Sequence, residues 1–191
     1  MGKFDQDYWN DKWEKSQIGW DIGNASTAIS EYFLQVENKA LKILIPGCGN
    51  AHEAELLLGE GFKNITLLDI SPKACELISK KFSSVEVVCE DFFVHEGQYD
   101  LIVEQTFFCA LEPRLRVEYV KKMHELLTEK GKIVGLLFNR DFGKPTPPFG
   151  GREAEYRALF EDFFEIRTLE RCYNSIKPRE NTELFINFSK K

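Results

Sequence analysis

The chain has 191 residues, 43% hydrophobic and 13% aromatic, enough to build one well-packed domain. Its net charge of −6 argues against a protein living on nucleic acid, because phosphate binding needs a basic face. The five cysteines include no C-x-x-C pair and the three histidines no i,i+4 pair, so neither a disulfide framework nor a zinc site is expected, and a reducing cytoplasm fits.

No apolar run approaches the ~18 residues of a membrane helix, and residues 1–6 form neither an apolar leader nor a myristoylation signal. Residues 7–15 read as a helix with Trp9 and Trp13 on one face. Trp20 follows, then a second amphipathic helix over 26–36 with Ile29, Phe33 and Val36 inward. Residues 1–40 thus precede the sheet and must pack on its functional edge or on its back. Three indoles within residues 9–20 suit either staples for this segment or a lid that keeps water from a ligand, and composition leaves both open.

The most informative stretch is 41–52, LKILIPGCGNAH. A strand over 42–45 enters a turn in which Gly47 and Gly49 let the backbone bend sharply and approach a ligand closely. A second strand, 65–69, ends in Asp69 about 20 residues later, the spacing with which α/β folds hold an adenosine ribose. The plainer role for Asp69 is capping of the next helix, 72–82, which Ser71 and Pro72 open. In a dinucleotide loop a third glycine would stand where His52 stands, and Asn50, His52 and Glu53 crowd the helix start that a diphosphate would need. S-adenosylmethionine carries no phosphate, so the shortened pattern favours it over a nicotinamide dinucleotide.

Glu90, Asp91 and Phe92 end the strand 85–89. By analogy of fold, Asp91 there accepts from the adenine amine and Phe92 supplies contact; an ordinary acidic loop with a core ring is the alternative. Glu104 closes the strand 100–104, where it either balances the cofactor's positive charge or caps the following turn. Phe107 and Phe108 suit the wall of a methyl-transfer pocket, although adjacent phenylalanines are more often core. A helix over 113–128 closed by Gly131 and a strand over 132–138 come next. Beyond them lie a Pro/Gly-rich loop at 139–151, a helix over 152–160, and strands 164–172 and 184–188 that read as an antiparallel pair. Five alternating strands finished by a hairpin are the plan of the Rossmann-like class I methyltransferase fold. The expected architecture is α/β: a seven-stranded, mostly parallel sheet with helices on both faces. Residues 1–191 form a single domain, with 1–40 as lid and 41–191 as core.

Several segments together resemble the thiopurine S-methyltransferase superfamily, and in particular its halide/thiol methyltransferase branch. They are YWNDKW at 8–13, GWDIG at 19–23, IPGCG at 45–49, LDIS at 68–71, FFCALEP at 107–113 and PPF at 147–149. The resemblance runs from about Tyr8 to the C-terminus. It implies cofactor contacts from Trp9, Trp13, Trp20, Gly47, Asp69, Asp91, Phe92 and Glu104, with Gly49 in the same turn, and an N-terminal segment that lids the site. The chain departs from the pattern at Asn50, at Gln105 and across 140–151, positions that bear on the methyl acceptor more than on the cofactor.

The reaction expected on this reading is direct transfer of a methyl group from a sulfonium to a small soft nucleophile: a thiol, bisulfide, thiocyanate or halide. A dry pocket and an in-line approach at ~3–3.5 Å would supply the rate, with no general base and no catalytic side chain. Phe107, Phe108, Phe142 and Phe149 are the pocket-wall candidates, Arg140 or Arg152 would attract an anionic acceptor, and Cys109 is expected to be packing. A monomer with a small-molecule acceptor and no metal, membrane or nucleic-acid partner is expected. The alternatives are a methyltransferase of the same fold with a different small-molecule acceptor and, from other classes, an NAD-dependent oxidoreductase or a non-catalytic S-adenosylmethionine-binding module.

Overall fold

The computed structural model describes residues 3–191. Seven strands form one sheet in the order β3-β2-β1-β4-β5-β7-β6. The first four, β1 (Ile43–Pro46), β2 (Ile65–Asp69), β3 (Glu86–Cys89) and β4 (Tyr99–Gln105), run parallel with β5 (Leu127–Phe138). Strand β7 (Glu183–Lys190) inserts antiparallel between β5 and the edge strand β6 (Phe164–Arg171). This is the class I methyltransferase arrangement expected from the sequence.

The continuous apolar runs of β1 and β2 are explained by burial on both faces, as parallel strands covered by helices require. Alternate residues of β1 serve opposite layers. Ile43 and Ile45 pack with Ile29 and Phe33 of α2 (Thr27–Leu34), Ala54 and Leu57 of α3 (His52–Gly59), and Ile78 of α4 (Pro72–Lys81). Leu44 faces the other way, toward Tyr119 and Met123 of α5 (Arg116–Leu126) and Tyr156 and Phe160 of α6 (Glu153–Phe160). The N-terminal helix α1 (Gln6–Glu14), capped by the Asp5 carboxylate on the Tyr8 amide at 3.2 Å, packs against α4.

One boundary differs in kind. The helix expected over 113–128 is a 3₁₀ turn at Pro113–Leu115 followed by α5, and the chain passes from Leu126 directly into β5. Gly131 is therefore a strand residue and not a helix stop. Leu127 pairs with Tyr99, with a register shift before Leu101 meets Lys132. The polar run 128–132 hides this extension, because its side chains do not alternate as a half-buried strand would.

Gly135 shows how closely β4 and β5 approach at the end nearest the ligand cleft. A Cβ there would lie 1.9 Å from the Glu104 carbonyl oxygen. Gly135→Ala is expected to destabilise by about 2–3 kcal/mol, lowering Tm by roughly 5–10 °C in calorimetry. Gly59→Ala, whose Cβ would meet nothing within 4 Å, should leave Tm unchanged or raised.

Candidate active site

At the carboxyl ends of β1, β2 and β4 the chain leaves a cleft of ≈ 890 Å³. Its floor is made by two turns that take left-handed backbone. After β1, Gly47 (φ +58°) and Gly49 (φ +52°) bring the main chain to the surface of the cleft, and Ala51 (φ +52°) turns it into α3. After β4, Thr106 sits at φ +60°, a conformation rare for a β-branched residue. The turns interlock, since a Cβ on Gly47 would stand 2.4 Å from the Phe107 ring.

Asp69 ends β2 beneath the first turn, 7% exposed, and borders the cleft. One carboxylate oxygen accepts from the Gly49 amide at 3.1 Å and the other from the Ser71 amide at 2.9 Å. The carboxylate thus also holds the start of α4, whose Ser71 hydroxyl accepts from the Ala74 amide at 3.2 Å. Burial pushes the Asp69 carboxyl upward against the pull of those amides. Each oxygen keeps a further lone pair for a ligand hydroxyl. Asp91 and Phe92 border the same end of the cleft; Phe92 is 4% exposed and its ring stacks edge-on to Phe107 at 5.1 Å.

The opposite rim is indole. Trp9, Trp13 and Trp20 all border the cleft, with Trp20 5.4 Å from Trp9 and 6.2 Å from Trp13 in edge-to-face contact. A Cβ on Gly49 would stand 3.4 Å from the Trp13 ring, in ordinary contact, so the glycine turn lies directly against the N-terminal helix and it is the left-handed backbone that favours glycine there. Polar clamps hold this segment down. The Asn10 side-chain oxygen accepts from the Ser71 hydroxyl and the Lys73 amide, Asp21 binds the side chains of Asn50 and His52, and the Ser26 amide donates to Glu53. The residues crowding the start of α3 are thereby engaged by the N-terminal segment, which explains why that start is closed to a diphosphate.

Four side chains expected in the site lie elsewhere. Glu104 is fully buried and does not border the cleft: one oxygen accepts from the Phe107 and Phe108 amides at 2.8 and 2.9 Å, the other from the Tyr119 hydroxyl at 2.5 Å. It is the capping role, not cofactor contact, that its geometry fits. Phe108, 1% exposed, packs edge-on to Tyr119 and Tyr156 in the core. Phe149 lies outside the cleft lining, its ring 5.7 Å from Phe4 and its amide donating to the Cys109 carbonyl. Arg152 is exposed at the start of α6, where its amide donates to Glu155. Phe107, Phe142 and Arg140 do border the cleft.

Arg179 and Thr106 carry no signal in the sequence, and Asp21, inside the GWDIG segment, carries none for its contacts with Asn50 and His52. Arg179 borders the cleft from the turn before β7 and donates to the Trp20 carbonyl at 2.9 Å and to Glu183 at 3.3 Å. No local motif marks it, since its partners lie far along the chain. Among the described residues no histidine borders the cleft, and burial pushes the Cys109 thiol far up, which leaves it un-ionised.

Burial pushes the Glu104 carboxyl up to about 7 from its ordinary 4.5. The folded state therefore holds this proton more tightly than the unfolded chain, so the stabilisation is complete below the unfolded value and is lost as pH rises through about 7. Glu104→Gln, which cannot ionise, should gain about 2–3 kcal/mol relative to wild type between pH 5 and pH 8 in urea unfolding. A difference independent of pH would show an ordinary carboxyl.

Comparison with known proteins gives the family and the fold. The family model for thiopurine S-methyltransferase matches residues 4–188. The chain is 31% identical to probable thiol methyltransferase 2 of Arabidopsis thaliana and 28% identical to thiocyanate methyltransferase 1 of Brassica oleracea, each over 92% of this chain and 81% of the relative. In fold it matches the 1,6-didemethyltoxoflavin-N1-methyltransferase of Burkholderia thailandensis, crystallised with S-adenosylhomocysteine, at a TM-score of 0.79 and 15% identity, covering 97% of this chain and 87% of that one. The chain belongs to the thiopurine S-methyltransferase family, whose members take their methyl group from S-adenosylmethionine.

Proposed function

We propose that this methyltransferase transfers the methyl group to the sulfur of a thiol or a thiol-like anion such as bisulfide or thiocyanate. S-adenosylmethionine supplies, when bound, an electrophilic methyl on a sulfonium that leaves as a neutral thioether. The chain's own residues bind, orient and exclude water. Asp69 accepts from the ribose hydroxyls, Asp91 from the adenine amine, and Phe92 lies against the base. Gly47 and Gly49 allow the backbone to approach, and residues 1–40 act as a lid whose Trp9, Trp13 and Trp20 keep the sulfonium end dry.

The observation that carries the acceptor class is an aromatic wall without an imidazole at the β5 end of the cleft, away from the carboxylates of Asp69, Glu90 and Asp91. The cleft is bordered by Phe107, Phe138 and Phe142 and by no histidine among the described residues. A nucleophile that arrives ionised needs no base. The two plant relatives named for thiol and thiocyanate methylation point the same way.

The test is purified protein with methyl-labelled S-adenosylmethionine and a panel of aryl thiols, bisulfide, thiocyanate, iodide, an aryl amine and an aryl carboxylate, with volatile products collected from the headspace. Label in methyl sulfides or methyl thiocyanate is the expected outcome; label appearing only in an amine or a carboxylate ester rejects the reading. The pH profile of kcat/KM should move with the thiol's own pKa when one aryl thiol replaces another, whereas an inflection fixed at one pH would reveal an enzyme base. Asp69→Asn should weaken S-adenosylhomocysteine binding by roughly 10- to 100-fold in calorimetry, as the loss of one or two charge-assisted bonds requires.

A further inference from the structure

Charges of both signs border the cleft: Asp5, Lys12 and the Glu112–Arg114 pair line it, and two further groups of single sign stand at the strand ends. Asp69, Glu90 and Asp91 stand at the ends of β2 and β3, whereas Arg140 and Arg179 flank the end of β5 beside Phe138 and Phe142. Arg179 is the fixed member of the basic pair. Its side chain is 12% exposed, one terminal nitrogen donates to the Trp20 carbonyl at 2.9 Å and the other to Glu183 at 3.3 Å, and its guanidinium carbon lies 5.4 Å from the Phe138 ring centre. A guanidinium carries five N–H donors. Two are engaged by these partners, and the group borders the cleft. Arg140 lies over Phe142, 4.8 Å from its centre, on the same side.

Where a cation helps depends on which charge it faces. Methyl transfer from a sulfonium to a thiolate cancels both charges, so a guanidinium against the reacting sulfur would stabilise reactants more than the transition state and slow the step. A guanidinium facing an anion that keeps its charge throughout binds ground and transition states alike and costs no rate. A carboxylate on the acceptor, away from its sulfur, is such an anion, and the planar fork of arginine matches it with two parallel hydrogen bonds.

Resting on the thiol methyltransferase reading, we propose that the β5–β7 end of the cleft binds a carboxylate carried by the acceptor. Arg179 is its fixed donor and Arg140 its rim partner. The substrate class is then an organic thiol with an acidic tail.

The experiment compares kcat/KM for 4-mercaptobenzoate and its neutral isostere 4-mercaptobenzamide in wild type, Arg179→Gln and Arg179→Lys. Wild type should prefer the acid by about 10- to 100-fold, the worth of one charge-assisted pair. Arg179→Gln should bring the ratio close to one whatever it does to the separate rates, and Arg179→Lys should keep part of it. The ratio is the decisive readout because release of Trp20 would slow both thiols together. Should the variants not fold, inhibition of wild type by 4-(methylthio)benzoate and by the corresponding amide decides: stronger inhibition by the acid is expected. Equal use of the two thiols by wild type, equal inhibition by the two products, or a preference that survives Arg179→Gln overturns the proposal. If neither thiol is methylated while bisulfide or thiocyanate is, the carboxylate proposal is overturned and the proposed function stands; if none of the four is methylated, the proposed function falls as well.

Discussion

The cleft depends on one buried carboxylate. Glu104 has no exposed surface, yet its oxygens take the amides of Phe107 and Phe108 and the hydroxyl of Tyr119. Those bonds fold the chain back at the end of β4, where Thr106 adopts a left-handed backbone and Phe107 is aimed at Gly47. Removing a partner from such a cluster leaves a buried polar group unpaired, which costs more than the bond gains. The glycine turn and the Phe107 turn are therefore one unit: the first has no side chain because the second fills its space. A group that never touches a ligand in this way sets the shape of the surface that does.

A second set of polar contacts joins residues 1–40 to the same end of the sheet. Asn10 reaches the start of α4, Asp21 and the Ser26 amide reach the start of α3, and the Trp20 carbonyl receives Arg179. Side chains that would otherwise compete for a ligand at the helix starts are consumed in holding the indoles over the glycine turn. The same contacts that close the start of α3 therefore hold the indole rim of the cleft.

Periodicity was enough to reveal the sheet, because β1, β2 and β4 are short apolar runs buried on both sides and separated by capped helices. The beginning of β5 was not legible: residues 128–132 are polar and their strand character comes from pairing with β4, a non-local cause. The site divides in the same manner. Gly47, Gly49 and Asp69 could be read because a local spacing carries them, and Ser71 because a cap precedes Pro72. Phe108 and Phe107 are neighbours of the same type, and only the fold turns one to the core and the other to the cleft. Glu104 and Asp69 both end strands as acids; burial depth distinguishes them, and sequence does not record it. Arg179 and Asp21 act through partners far along the chain, Trp20 and the Asn50–His52 pair.

Charge completes the logic of the cleft. The chain is acidic overall, at −6, yet its one deeply held guanidinium bordering the cleft lies at the end opposite Asp69, Glu90 and Asp91. Burial raises the Glu183 carboxyl and Arg179 opposes that rise, so the acid is the guanidinium's buried counter-charge. The acidic end at β2 and β3 suits hydroxyls, an amine and a sulfonium, while the end that holds Arg179 suits an anion. In the proposed reaction the two meet where Phe107 and the indoles leave the least water, and there the cancellation of charge is favoured by the same dryness that would penalise a lone ion.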